Sequence, residues 1–159
     1  MNRRRSFWAL NAALVLIAVL SGCARKPGVL SNEEAYKRFV GTWVNTDFPG
    51  TPARPQMFVV RPDYVSEDWQ LPDSPSPAGR AKIVVKKSWT DGEGYTYQQW
   101  FWDYIDAPPD WFGIAVTRVD KAGKVLEQLN LVGRPEDTES YPEEIIPGGN
   151  AYFIYYRQK

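Results

Sequence analysis

The sequence predicts an all-β protein, an eight-stranded antiparallel up-and-down barrel preceded by a short N-terminal helix. Two observations lead there. From Gly41 onward, apolar and polar residues alternate with period two through eight successive segments. The connections between those segments alternate in length, so an antiparallel meander gathers the tight turns at one end and the long loops at the other.

Ser31 followed by Glu34 matches a capping box, so SNEEAYKRF is expected to form a helix of two turns. The strands follow at Gly41–Thr46, Gln56–Val60, Tyr64–Gln70, Ala81–Trp89, Tyr95–Ile105, Trp111–Val119, Val125–Val132 and Ala151–Arg157. In the fourth, Ile83 and Val85 alternate with Val84 and Lys86. The fifth sets Trp100, Trp102 and Tyr104 on one face against Gln99, Phe101 and Asp103 on the other. The sixth places Phe112, Ile114 and Val116 opposite Gly113, Ala115 and Thr117. Short turns fall at 61–63, 90–94 and 120–124, and longer connections at 47–55, 71–80, 106–110 and 133–150. A barrel of eight strands has room for one small ligand or for a filled core.

The N-terminus carries a different signal. MNRRR is basic, Phe7–Leu20 is apolar apart from Asn11, and small residues follow. The apolar run is too short for a stable membrane span and has no polar face, which is the pattern of a secretory signal. The chain therefore divides into a signal peptide at 1–22, a tether at 23–30 and the barrel at 31–159. Loss of residues 1–22 removes Arg3, Arg4 and Arg5 and leaves 16 basic against 19 acidic residues, a net charge of −3. With no basic stripe, nucleic acid is not an expected partner.

Leu20, Ser21, Gly22 and Cys23 resemble the lipobox of bacterial lipoproteins, in which the cysteine becomes the lipidated first residue of the mature chain. The resemblance implies that Cys23 is an acylated membrane anchor and leaves no thiol for catalysis or a disulfide. Each buried acyl methylene contributes about 0.8 kcal/mol of membrane affinity. Ala24 in place of aspartate implies the outer membrane, on its periplasmic side. The tether 24–30 reaches at most about 25 Å, so the domain stays near the membrane.

Phe39, Gly41 and Trp43 in YKRFVGTWVN resemble the opening of the first strand in lipocalins. In that family an arginine from the last strand packs over the tryptophan, which implies a barrel-closing pair of Trp43 and Arg157. KKSWTDGEGYTYQQW and PEEIIPGGNAYFIYYRQ also resemble a family of small bacterial lipoproteins with lipocalin-like domains. The threonine-aspartate-tyrosine common between the sixth and seventh strands of lipocalins is missing, and the chain is shorter than most of that family.

Catalytic chemistry finds little support. Histidine is absent, which removes the commonest general base and transition-metal ligand. Asp91-Gly92-Glu93-Gly94 lacks the spaced oxygens of a calcium loop and reads as a hairpin turn. The carboxylate pairs Asp103/Asp106 and Glu143/Glu144 have no evident pocket. No enzyme, cofactor or metal is expected. Trp100, Trp102, Tyr104, Phe112 and Ile114 are the candidate ligand-binding residues; facing inward, they either fill the barrel or line a cavity. Tyr95, Tyr97 and Phe101, facing outward, would form an aromatic strip for a partner.

The mouth loops are acidic: Glu136, Asp137, Glu139, Glu143, Glu144, Asp47, Asp73, Asp106 and Asp110 outnumber Arg134, Arg54 and Arg80. Arg25, Lys26, Lys37 and Arg38 lie near the tethered base, so the acidic mouth is expected to face away from anionic head groups. The expected function is non-catalytic binding of a small hydrophobic or amphipathic molecule. The alternative is a filled barrel that meets an envelope protein or glycan.

Overall fold

The computed structural model describes residues 30–107, 112–131, 141–149 and 151–159. The expected signal peptide at 1–22, Cys23, nearly all of the expected tether, Asp110, Trp111 and the acidic stretch of residues 132–140 lie outside the described residues.

A helix α1 (Asn32–Tyr36) precedes eight strands: β1 (Gly41–Val44), β2 (Met57–Val60), β3 (Val65–Trp69), β4 (Gly79–Thr90), β5 (Thr96–Tyr104), β6 (Phe112–Val119), β7 (Val125–Leu131) and β8 (Tyr152–Arg157). Each strand pairs antiparallel with the next, and β8 pairs with β1, so the sheet closes as a barrel. Closure removes both sheet edges. The helix is shorter than the expected two turns, although its cap is as expected. The Ser31 side chain accepts the Glu34 amide, and its hydroxyl donates to the Glu34 carboxylate at 2.7 Å.

Tyr36 stacks on Tyr64 and donates to the carbonyl of Arg61 in the β2–β3 turn. Arg38 donates to Thr96 Oγ1 and to the carbonyls of Asp120 and Lys121 in the β6–β7 turn. The helical segment thus plugs the end where the tight turns gather. Asp91 Oδ1 in the β4–β5 turn accepts from the amides of Glu93, Gly94 and Tyr95, the self-bonding of an aspartate hairpin turn.

Closure at the base centres on Trp43 and Arg157, which are register partners across β1 and β8. The Arg157 guanidinium lies 4.1 Å from the centre of the Trp43 ring. Such contacts contribute about 0.5–2 kcal/mol. Above this pair the interior is filled by Phe39, Phe58, Val60, Ile83, Trp100, Trp102, Ala115, Leu126 and Tyr155. Trp100 packs edge-on against Phe39 and Trp102.

The sixth strand carries a correction. Trp100 pairs with Ala115 and Trp102 with Gly113, so the small residues of β6 face inward beside the indoles. Phe112 and Ile114 take the opposite face, where Phe112 stacks on Phe101. A Cβ on Gly113 would already lie 3.1 Å from Cε3 of Trp102. The indoles occupy the volume that larger β6 side chains would need, so Phe112 and Ile114 cannot join them.

A β-bulge between Val85 and Lys87 reverses the parity of β4, sending Ser88 inward and Trp89 outward. Buried Gln98 uses the inward Ser88: its amide donates to Ser88 Oγ and the Asn32 carbonyl, and its carbonyl accepts from Trp100 Nε1. This network ties α1 to the barrel floor.

Candidate functional site

At the mouth, the β1–β2 loop folds inward. Phe48 lies edge-on to Phe153 and Tyr155, and the Arg54 guanidinium sits 4.7 Å from the Phe153 ring centre. Arg54 also donates to the carbonyls of Tyr152 and Gly149. This side of the mouth is shut by aromatic packing.

The other side is open. A cavity of about 250 Å³ is lined by Pro52, Asp68, Ala78, Gly79, Arg80 and Tyr104, with Asp106 at its rim. Asp68 and Gly79 are register partners across β3 and β4, and the β2–β3 register puts Asp68 level with inward-facing Phe58. An ideal Cβ on Gly79 meets no heavy atom within 4 Å. Missing side-chain volume at that position therefore keeps the cavity open.

Two charges at the rim cancel. Arg80 makes a bidentate pair with Asp106, with Nε and one Nη at 2.8 and 2.9 Å from the carboxylate oxygens. This pairing holds the Asp106 carboxyl below its ordinary range. The side chain of Asp68, by contrast, makes no hydrogen bond or ion pair among the described residues. Burial pushes its carboxyl up to about 7. Burial, with a smaller contribution from the Asp68 charge, pushes the Tyr104 hydroxyl up to about 12.

Four buried polar atoms on β5–β7 lack a partner among the described residues: Trp102 Nε1, Thr117 Oγ1, Gln128 Nε2 and Asn130 Oδ1. All four residues occupy inward register positions. The interior is thus both aromatic and polar.

A second cavity, about 610 Å³, lies on the outer wall and is lined by Lys87, Trp89, Asp91, Tyr97, Arg118 and Glu143 among others. Residues 141–149 run over this wall. Ile145 packs with Tyr97 and Val116, and Gln99 donates to the Pro142 carbonyl. The described part of the last long connection therefore lies along the barrel side. Tyr97, expected in an exposed strip, is buried between Trp89, Arg118 and Ile145, whereas Phe101 is half-exposed beneath Lys86. Arg118 bonds Glu127 at 2.6 Å, and Glu127 accepts from the Tyr152 hydroxyl at 2.6 Å.

Of the five sequence-derived candidates, Trp100 and Trp102 are packing residues of the interior, and Tyr104 alone lines the mouth cavity. Ile114 is buried on the outer wall beside Phe112. Asp68 and Gly79 went unnoticed. Neither face of VSEDW is consistently apolar, so alternation does not say which side of β3 looks inward. Among the described residues, no group of three or more acidic, histidine or cysteine side chains could hold a metal ion, and no helix is long and apolar enough to cross a membrane. Comparison with protein-family models, curated proteins and solved structures finds no match for this chain.

Proposed function

We propose that this chain is a lipid-anchored protein of the bacterial envelope whose barrel binds a small amphipathic molecule at its mouth without transforming it. The observation that carries this reading is the contrast within the barrel. The lower interior is filled by aromatic rings, while an open cavity of about 250 Å³ remains above them. That volume lies below the usual range for drug-sized ligands and suits a compact molecule. The ring of Tyr104 supplies an apolar wall, and the carboxylate of Asp68 supplies a polar contact.

The attachment rests on Cys23 and its lipobox. Leu30 directly precedes the helix that plugs the base, which supports a tether leaving from that end. The mouth then faces away from the membrane, on the periplasmic side of the outer membrane. Metabolic labelling with radioactive palmitate tests the anchor. Label is expected in the wild-type protein and lost in Cys23→Ser; equal labelling of both removes the anchor.

Native mass spectrometry of the purified protein tests the binding role. A co-purified molecule of about 100–250 Da, displaced when the mouth is filled by Gly79→Leu, is expected. A protein that is always empty instead favours an interaction module. The outer cavity with Trp89, Tyr97, Arg118 and Lys87 is the specific observation behind this second reading, since aromatic and charged groups together suit an envelope protein or glycan.

A further inference from the structure

We infer that the mouth cavity selects small organic cations, a primary ammonium or guanidinium group on an apolar stem, with the Asp68 carboxylate as the anchor. This inference rests on the small-molecule reading above and names the ligand chemistry.

The charge balance of the cavity points to a cation. Among the described residues of its lining Arg80 is the one basic side chain, and its guanidinium is paired bidentately with Asp106. Among the described residues, Asp68 is left as the uncompensated charge of the cavity. The Asp68 carboxylate is only partly shielded from water in the open mouth, and a ligand that brings its own N–H donors supplies the partner that the described residues do not. An anionic ligand would find Arg80 already taken and Asp68 repelling it. A metal ion would need more oxygen ligands than this single carboxylate offers.

Shape agrees with charge. Gly79, directly across from Asp68, contributes no side chain, so the space beside the carboxylate is free. The Tyr104 ring lines the same cavity, where it can cover an alkyl or aryl stem and interact with the cationic head through its face. The charged and titratable groups around Asp68 are Arg80 on β4, Tyr104 on β5, Asp106 just beyond β5 and Tyr155 on β8, with Arg54 beyond Tyr155. Burial pushes the Asp68 carboxyl up to about 7, so a proton competes with the ligand near neutrality. Affinity is therefore expected to rise between pH 6 and pH 8.

The experiment is calorimetric titration of the full-length protein in a non-ionic detergent with three probes of similar shape: phenethylammonium, 2-phenylethanol and 3-phenylpropionate. Phenethylammonium is expected to bind at least about tenfold tighter than the alcohol, with the carboxylate weakest. Asp68→Asn, which keeps the side-chain shape, should erase that preference. Gly79→Leu should abolish binding of all probes while leaving the near-ultraviolet circular dichroism unchanged, because its side chain enters open space. If the three probes bind equally and Gly79→Leu removes them all, the mouth is a binding site but its charge selectivity is disproved. A preference for phenethylammonium that survives Asp68→Asn also overturns the anchor. Binding of no probe, or binding indifferent to Gly79→Leu, overturns both the inference and the mouth reading.

Discussion

A Cβ on Gly41 would lie 2.6 Å from Nη1 of Arg157, so the glycine of the GTW motif is the space in which the barrel-closing guanidinium sits. Gly41 also has a φ of +146°, a conformation that side chains other than glycine rarely adopt. Above Trp43, Arg157 donates to the carbonyls of Arg38, Val40 and Gly123 at 2.6, 2.8 and 2.6 Å. One side chain thereby joins the segment after the helix, the β6–β7 turn and the first strand.

Arg157→Lys should lower stability by about 2–4 kcal/mol, because an ammonium cannot serve three separate carbonyls and the indole face together. Gly41→Ala should cost a similar amount, through a clash with Arg157 and an unfavourable φ. Urea unfolding followed by tryptophan fluorescence measures both. Losses under about 0.5 kcal/mol would mean that closure does not depend on this arginine.

Two interior glycines should respond in opposite ways. Gly113→Val meets the Trp102 and Tyr104 rings and is expected to cost about 1–3 kcal/mol by overpacking. Gly79→Leu meets nothing and should stay within about 0.5 kcal/mol of wild type. Thermal melts of the two variants in parallel decide whether the mouth is open and the middle full.

On the outer wall, Glu127 holds Arg118 and Tyr152 together, and the Arg118 and Glu127 side chains are only 20 % and 9 % exposed. Glu127→Gln should cost about 2–4 kcal/mol because it strands a largely buried guanidinium. Ile145→Asp should instead loosen segment 141–149 with little change in global unfolding. Faster proteolysis within that segment is the expected readout, and an unchanged cleavage rate would mean that Ile145 does not hold it down.

Neighbouring acids on β3 should act on stability with opposite signs. The folded pKa of Asp68, about 7, lies above its ordinary 3.8, so the folded state holds this proton more tightly than the unfolded chain. The associated stability is complete below about pH 4 and is lost as pH rises through 7. Because Asp68 is partly exposed, the loss is expected to be only about 1–2 kcal/mol, after allowance for solvent screening. Asp68→Asn should remove this decline between about pH 4 and pH 7. The hydrogen bonds from Arg61 hold Glu67 below its ordinary value of 4.5, so its contribution is present above that pH and is lost on acidification. Glu67→Gln should flatten the acid limb alone, which urea unfolding at pH 4, 5.5 and 8 can separate.

Much of this architecture is legible in local pattern. The Ser31–Glu34 cap and the eight strands rest on short-range chemistry and the strand period, the adjacency of the first and last strands on the alternating loop lengths, and the Trp43–Arg157 pair on the resemblance of GTW to the first strand of lipocalins. Phe112 and Ile114 were misplaced because a strand with large residues on one face and small ones on the other looks amphipathic either way. The inward face is the small one here, because β5 already fills the interior with indoles. The bulge at Lys86 likewise exchanges the two faces within one strand, which no fixed period can reveal.

The chain by itself determined a meander of eight antiparallel strands and the capped helix before it, since each follows from neighbours in sequence and the two-residue period of a strand. Only the tertiary structure decided that Gly79 leaves open space beside an Asp68 with no side-chain partner among the described residues, that Arg80 is neutralised by Asp106, and that residues 141–149 lie along the barrel wall. Those relationships join different strands across the barrel. They depend on register, twist and the volume taken by distant rings, none of which is written in any single stretch of residues.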